Sequence, residues 1–209
     1  MKKSKVLLTL ACAVLLVAAS VMGTLAYLTS HDEVTNTFSV GQVSIKLDEA
    51  KANPDGTLVE GATRVQENSY KLMPGHEYIK DPMIHVDPTS EDCYLFVTIN
   101  NEIAAIEAEG ITTVAEQMNA KGWAAVEGVA NTYVYIGTAE GAADPLAVSA
   151  GNDITVFGKI VIAGSVDNET LAKYAEKTIT VNAYAVQKDG FEGKTATEIW
   201  NTAFPTQNP

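Results

Sequence analysis

The chain has 209 residues, of which 46% are hydrophobic, 19% charged and 7% aromatic; that suffices for the packed core of one domain and is too apolar for a disordered chain. Against 14 basic residues stand 26 acids, a formal net charge of -12, which argues against nucleic acid as a partner, because phosphates require a basic face. With only Cys12 and Cys93, neither a disulfide framework nor a four-cysteine zinc site can be built.

Lys2, Lys3 and Lys5 open the chain, and an uncharged apolar run occupies residues 6–22. Gly23, Thr24, Leu25 and Ala26 follow, with Thr24 and Ala26 suited to the small-residue positions of a cleavage site. This is the layout of a secretory signal peptide over residues 1–26, with cleavage expected between Ala26 and Tyr27. An uncleaved anchor is the rival, since no charge lies between Lys5 and His31 and about 20 apolar residues span a bilayer. Cleavage is favoured because small residues close the run and the polar Thr29-Ser30-His31-Asp32-Glu33 follows without a basic stop-transfer cluster. The membrane is then met only through the uncleaved signal segment. Cys12, preceded by Thr9-Leu10-Ala11 in mid-run, reads as a small apolar residue of this helix. Removing residues 1–26 takes away three lysines and no acid, leaving 11 Lys+Arg against 26 Asp+Glu, a formal net charge of -15, and Cys93 as the remaining cysteine.

Residues 27–37 are polar and flank the first strong strand, and a single domain is expected over residues 38–209. Val43, Ile45 and Leu47 alternate with Ser44, Lys46 and Asp48, which predicts a strand with its polar members facing outward. Phe38 and Val40 fall on the opposite parity, so a bulge at Gly41 would restore the register. Residues 77–86 read as extended, with Pro82 restricting them to an edge or a bulge. Cys93, Leu95, Val97 and Ile99 alternate with Tyr94, Phe96, Thr98 and Asn100, and residues 131–138 form a further strand rich in tyrosine and valine. Residues 154–162 read as one strand with Ile154, Val156, Ile160 and Ile162 inward and Thr155, Phe157, Lys159 and Val161 outward. Ile179, Val181, Ala183 and Ala185 form another inward face, and Leu95, Val97, Ile160 and Val181 are expected to be buried.

Three short helices are marked by their caps. Thr113 with Glu116 forms a capping box before residues 114–121, Asp167 caps 168–176, and Thr195 with Glu198 opens a helix through Ile199, Trp200 and Ala203. Stretches 48–62 and 138–153 are rich in turn residues and read as loops within the domain. Many short strands with few helices predict an all-β fold, an antiparallel β-sandwich of the jelly-roll kind.

A search for chemistry returns little. His76-Glu77 begins like the helical zinc-protease motif, but Lys80 stands where the second histidine is needed, and Pro74-Gly75 and Tyr78-Ile79 favour a turn and a strand. Neither a nucleophile elbow, a phosphate loop nor a dinucleotide fingerprint occurs, so no catalytic residue, cofactor or metal ligand is assigned. The acidic run 87–92 carries oxygen ligands for a hard cation such as calcium but lacks EF-hand spacing, and a plain acidic turn is the simpler reading. Trp123 and Trp200 are the aromatic residues from which a carbohydrate-stacking platform would be made. Strands 154–162 and 178–186 carry little charge and many β-branched residues, which makes edge pairing feasible.

Residues 23–29 (GTLAYLT) and 32–41 (DEVTNTFSVG) resemble exported proteins of Gram-positive bacteria that carry the SipW-dependent type of signal peptide, the TasA/camelysin family. Lys71-Leu72-Met73-Pro74-Gly75, Ile79-Lys80-Asp81-Pro82 and Ser90-Glu91-Asp92-Cys93-Tyr94-Leu95 are similar to the family's next shared segments, and residues 182–187 with Trp200-Asn201 to its clostridial members. The resemblance implies a jelly-roll sandwich, processing by a dedicated SipW-like signal peptidase, and secretion to the cell surface or the extracellular biofilm matrix. It also implies self-association into fibres, or association with other matrix and cell-wall components, through donor-strand complementation. In that reading residues 27–37 supply the assembly strand, with Tyr27, Val34 and Phe38 as its anchors. The alternative is a camelysin-like secreted or envelope-bound metallopeptidase, for which His76, Glu77 and His85 are the conceivable ligands. Three ligands converging on one point would support it.

Overall fold

The computed structural model describes residues 2–25, 41–110 and 112–207. The chain divides into two compact units, Met1–Val40 and Gly41–Pro209. In the first unit α1 runs over Lys2–Leu25, and Thr9 Oγ1 donates to the Lys5 carbonyl at 2.6 Å. Side chains described in it, up to residue 16, are exposed. Among the described residues no helix is long and apolar enough to cross a membrane. The bulge expected at Gly41 would involve residues 38–40, which lie outside the described residues; Gly41 itself is in irregular backbone.

The second unit is all-β with a few short helices. Its strands are β1 (Ile45–Asp48), β2 (Glu77–Ile79), β3 (Met83–Val86), β4 (Cys93–Asn101), β5 (Trp123–Ala125), β6 (Thr132–Tyr135), β7 (Ala147–Val148), β8 (Asp153–Thr155), β9 (Lys159–Val161) and β10 (Ile179–Gln187). Between them lie α2 (Val114–Ala120) and α3 (Asn168–Lys173), and α4 (Ala196–Ala203) follows β10. All pairings are antiparallel. One sheet has the order β1-β3-β8, a second β10-β4-β6-β5 with β7 also on β4, and β2 pairs with β9.

Pro82 explains the division between the first sheet and the β2–β9 pair. The same register runs through β2–β9 and β3–β8, and bonds from Lys80 N to the Gly158 carbonyl and from Val156 N to the Pro82 carbonyl carry it across the break. Pro82 has no N–H to return to Val156, so the ladder is interrupted there. The strand expected over 154–162 is therefore two strands, bent at residues 156–158. The bend turns Phe157, expected to face outward, into the core, where it is fully buried.

Two hydrophobic clusters form, one on each face of β4. Cys93, Leu95, Val97 and Ile99 join Tyr78, Ile84, Val86, Met118, Trp123, Phe157, Ile160 and Ile162 in the larger. Tyr94 and Phe96, on the other parity, pack with Val134, Ile199 and Trp200 in a second cluster beneath α4. Alternation alone suggests one buried face; β4 is buried on both because it lies inside its sheet and α4 covers the far side. Leu95, Val97 and Ile160 are buried as expected, but Val181 is only half-buried. Its strand, β10, forms the end of the sheet order.

The caps form where the sequence places them, although of the box expected at Thr113 and Glu116 only the bond to the Thr113 side chain is seen. Thr113 accepts from Glu116 N at 3.3 Å and Asp167 from Thr170 N at 2.7 Å. At Thr195 both halves of the capping box are made, with Glu198 Oε2 accepting from Thr195 N at 2.9 Å. After α2 the chain turns through Gly122 at φ +85°, where a Cβ would stand 2.5 Å from the Gly137 backbone; only glycine allows that approach.

Candidate functional site

The hydrogen-bond phase of the two end strands defines the site. Ser44 accepts from Asp87 N at 2.9 Å, so in β1 the even-numbered residues bond to β3 and the odd ones point their amides and carbonyls away. Glu49, the next odd residue, confirms the phase: it exchanges both backbone bonds with Val65, at 2.7 and 2.8 Å. In β10, Glu102 N bonds the Thr178 carbonyl and Lys188 N the Asp92 carbonyl. Even residues there face β4, and Ile179, Val181, Ala183 and Ala185 face out. Among the described residues no strand pairs with the outer edge of either Ile45 and Leu47 or these β10 residues.

The same odd residues carry half-buried side chains over the larger cluster, while Tyr184 and Val186, also half-buried, lie against the second. Val43, Ile45 and Leu47 of the first edge and Ile179, Val181, Ala183 and Ala185 of the second all pack against the larger cluster without being buried by it. A cleft of about 980 Å³ opens between Leu47-Asp48-Glu49 and Ile179-Thr180-Val181. Tyr78, Ile103 and Ile160 form its apolar floor, and Tyr70 and Tyr174 stand among its walls. Unpaired backbone groups above half-covered apolar side chains are what an added strand satisfies.

A charged network braces the β1 side. Asp48, expected to face outward, is 4% exposed. It accepts from Arg64 Nε, from Lys46 Nζ at 2.8 Å and from His85 Nε2 at 2.9 Å. Burial alone would raise its carboxyl, but the hydrogen bonds from Lys46, Arg64 and His85 outweigh it and hold the group well below the usual carboxylate range. Arg64 also reaches Asp81 Oδ2 at 2.9 Å and the Asp81 carbonyl at 2.9 Å. His85 Nδ1 meets Asp153 Oδ1 at 2.7 Å. Burial would lower its pKa, but the bonds to Asp48 and Asp153 raise it. The network ties the segment before the cleft wall to three strands. Sequence reading missed it because Arg64, Asp81 and Asp153 are remote from Asp48 in the chain.

The residues named from the sequence fall in different places. Ala26, Tyr27, Val34 and Phe38 lie outside the described residues. His76 Nε2 contacts the Asp55 carbonyl at 2.6 Å and its ring meets Tyr78 edge-on. Glu77 pairs with Lys159 at 2.7 Å, while His85 stands between Asp48 and Asp153. The three conceivable ligands thus have separate partners, and among the described residues no three His, Cys, Asp or Glu are grouped to hold a metal ion. Asp87 closes its own turn, accepting from Thr89 N at 2.8 Å and Thr89 Oγ1 at 2.6 Å. Trp123 and Trp200 are buried in separate clusters, so neither offers a ring face to a sugar. Cys93 is buried, and burial together with the charge of Asp92 pushes its thiol up to about 11, which keeps it protonated and unreactive at neutral pH. Compared with family models, curated proteins and solved structures, the chain matches none of them.

Proposed function

We propose that the protein is an exported structural subunit of the cell surface or extracellular matrix, assembling into fibres by strand complementation. The N-terminal segment of one copy fills the cleft between β1 and β10 of the next. One observation carries the reading: two sheet edges that no strand pairs among the described residues, with outward amides and carbonyls on odd residues whose side chains are half-buried, flank a cleft. An extended segment gains main-chain bonds from such edges without a new fold. Val34 and Phe38, four residues apart, share one face of an extended chain and would set apolar side chains over Tyr78 and Ile160. The lysine-led apolar run over residues 6–22, closed by small residues up to Ala26, supports export, and the resemblance of residues 23–41 to SipW-dependent exported proteins is what suggests a dedicated SipW-like peptidase.

A net charge of -15 on the chain from Tyr27 onward opposes association, so salt or lower pH should promote it. The test compares chains beginning at Tyr27 and at Phe38 by light scattering and electron microscopy over a range of salt and pH. Fibres from the longer chain alone support the reading. Two monomeric chains under every condition, or equal fibres from both, overturn it. Intact mass of the protein recovered from the medium locates the cleavage, and a mass that includes Lys2 would count against export by processing.

A further inference from the structure

Beside the cleft, a buried acid holds an amine and a carboxamide together. Glu49 is 4% exposed, and the Lys80 side chain is 13% exposed. Lys80 Nζ donates to Glu49 Oε2 at 2.7 Å, and Asn68 Nδ2 donates to Glu49 Oε1 at 2.9 Å. The two nitrogens hang from the two oxygens of one carboxylate. Asn68 is fixed in orientation: its Nδ2 also donates to the Ala50 carbonyl at 2.8 Å, and its Oδ1 accepts from Ala52 N at 2.9 Å. Tyr70 stands alongside, its hydroxyl donating to the Ile79 carbonyl at 2.7 Å, and burial together with the Glu49 charge raises its pKa. The elements that bring these residues together are remote in sequence: the end of β1, the segment between β1 and β2, and the break in the ladder between β2 and β3.

We propose that Lys80 and Asn68 join in an intramolecular isopeptide bond, with Glu49 carrying the protons. Glu49 Oε2 takes a proton from the Lys80 ammonium, and the freed lone pair on Nζ attacks Asn68 Cγ. The carbonyl π electrons move onto Oδ1, where the Ala52 N–H already points and stabilises the charge that develops. Glu49 delivers a proton to Nδ2, the Cγ–Nδ2 bond breaks with its electron pair on nitrogen, and ammonia leaves. Nζ gives up two protons in all, one to the departing ammonia and one to solvent. No oxidant, cofactor or second substrate is needed.

Several features favour this reaction over a static ion pair. The attacking and leaving nitrogens share one acid–base group at hydrogen-bond distance. Their anchoring replaces an encounter with an intramolecular approach of high effective concentration. Each chain reacts once, so even a slow step completes. The product ties the segment along β1, already bonded through Val65 to Glu49, to the interrupted ladder at Lys80, and so fixes one wall of the cleft. This inference does not rest on fibre formation, and its test is independent of assembly.

The experiment is intact mass of the purified, denatured chain followed by tryptic mapping. The expected chain is lighter by one ammonia, and residues 65–71 are recovered as a branch on Lys80, where trypsin no longer cuts. Asn68→Ala, Lys80→Arg and Glu49→Gln chains should keep the full mass and unfold at a lower temperature than the cross-linked parent. An unmodified parent after prolonged incubation overturns the proposal, as does an ammonia loss mapped to any other asparagine. A cross-linked Glu49→Gln chain overturns the role given to Glu49. Should the variants fail to fold, the parent's mass and branched peptide still decide.

Discussion

β4 and β10 lie side by side, each nine residues long, paired over their whole length. Both supply one face, on their odd residues, to the same cluster. Yet six of the nine β4 residues are buried and none of those in β10 is. The difference comes from what lies beyond each strand. β4 has β6 and β7 on one side, β10 on the other, and the Phe96–Trp200–Phe204 aromatic group across its second face. β10 has β4 on one side only among the described residues. A strand's pattern therefore states which residues face the core, while its place in the sheet order decides how completely they are covered. Where half-buried apolar side chains coincide with an edge that no described strand pairs, as in β10 and β1, the fold is prepared to accept something more.

Truncation of the two strands should break that comparison most visibly. Leu95→Ala, in the covered strand, should cost about 2–5 kcal/mol through lost transfer energy and a cavity. Val181→Ala, with its side chain half in solvent, should cost roughly 1 kcal/mol. Urea denaturation of both variants measures the gap, and equal losses would mean that the β10 edge is as fully covered as β4.

The charged brace comes next. Asp48→Ala removes the common partner of Lys46, Arg64 and His85 and strands the partly buried Arg64 on Asp81 alone. Breaking such a pair from one side is expected to cost about 3 kcal/mol, read as a shift in the urea midpoint. Because the Asp48 pKa is depressed, its contribution is complete above the ordinary value of 3.8 and fades as pH falls below it. His85 acts in the opposite direction. Its pKa is raised above 6.5, so the stability it lends is complete below that value and is lost as pH rises through the raised one. The loss should stay below about 1 kcal/mol, since the imidazole is partly exposed and screened. A pH series of urea midpoints should therefore decline gently as pH rises past 6.5, and His85→Asn should flatten that limb while leaving the acid limb of Asp48 in place.

Much of this was legible in the sequence, and the failures share one cause. The parity of Leu95 and Val97, the three helix caps and the disturbance at Pro82 depend on neighbours a few residues away, and the sequence states those directly. The second cluster does not: Tyr94 and Phe96 read as an outward face until α4, a hundred residues on, covers them. Phe157 turns inward because Pro82, on the facing strand, interrupts the ladder beside it. Asp48 follows the polar parity of its strand but is buried because Arg64 and His85 converge on it. Glu49, Asn68 and Lys80 carry no spacing that links them, and only the backbone pairing of Glu49 with Val65 brings Asn68 near the acid. Local rules predict elements, whereas sites made by distant residues appear once the ladders are in register.

The finest test separates the two edges of β10 itself. Asn182 and Ala183 are adjacent, and the hydrogen-bond phase assigns them opposite duties: the Asn182 amide faces Thr98 in β4, and the Ala183 amide faces the open side. Proline removes the amide hydrogen in either place. At Asn182 it deletes a ladder bond in the middle of the pair, and a loss of about 3 kcal/mol is expected. At Ala183 no bond to β4 is lost, and the remaining cost is the adjustment of φ toward −65°, on the order of 1 kcal/mol. Ala183→Pro should thus fold nearly as well as the parent, with an unchanged circular-dichroism spectrum and a slightly lower midpoint. Its outer edge, however, would lack one donor and carry a ring that obstructs an incoming strand. If strand addition at β10 drives assembly, this variant stays monomeric under conditions where the parent forms fibres. If it is as destabilised as Asn182→Pro, the phase assigned to β10 is one residue out, and the open edge must be sought on the other side of the strand.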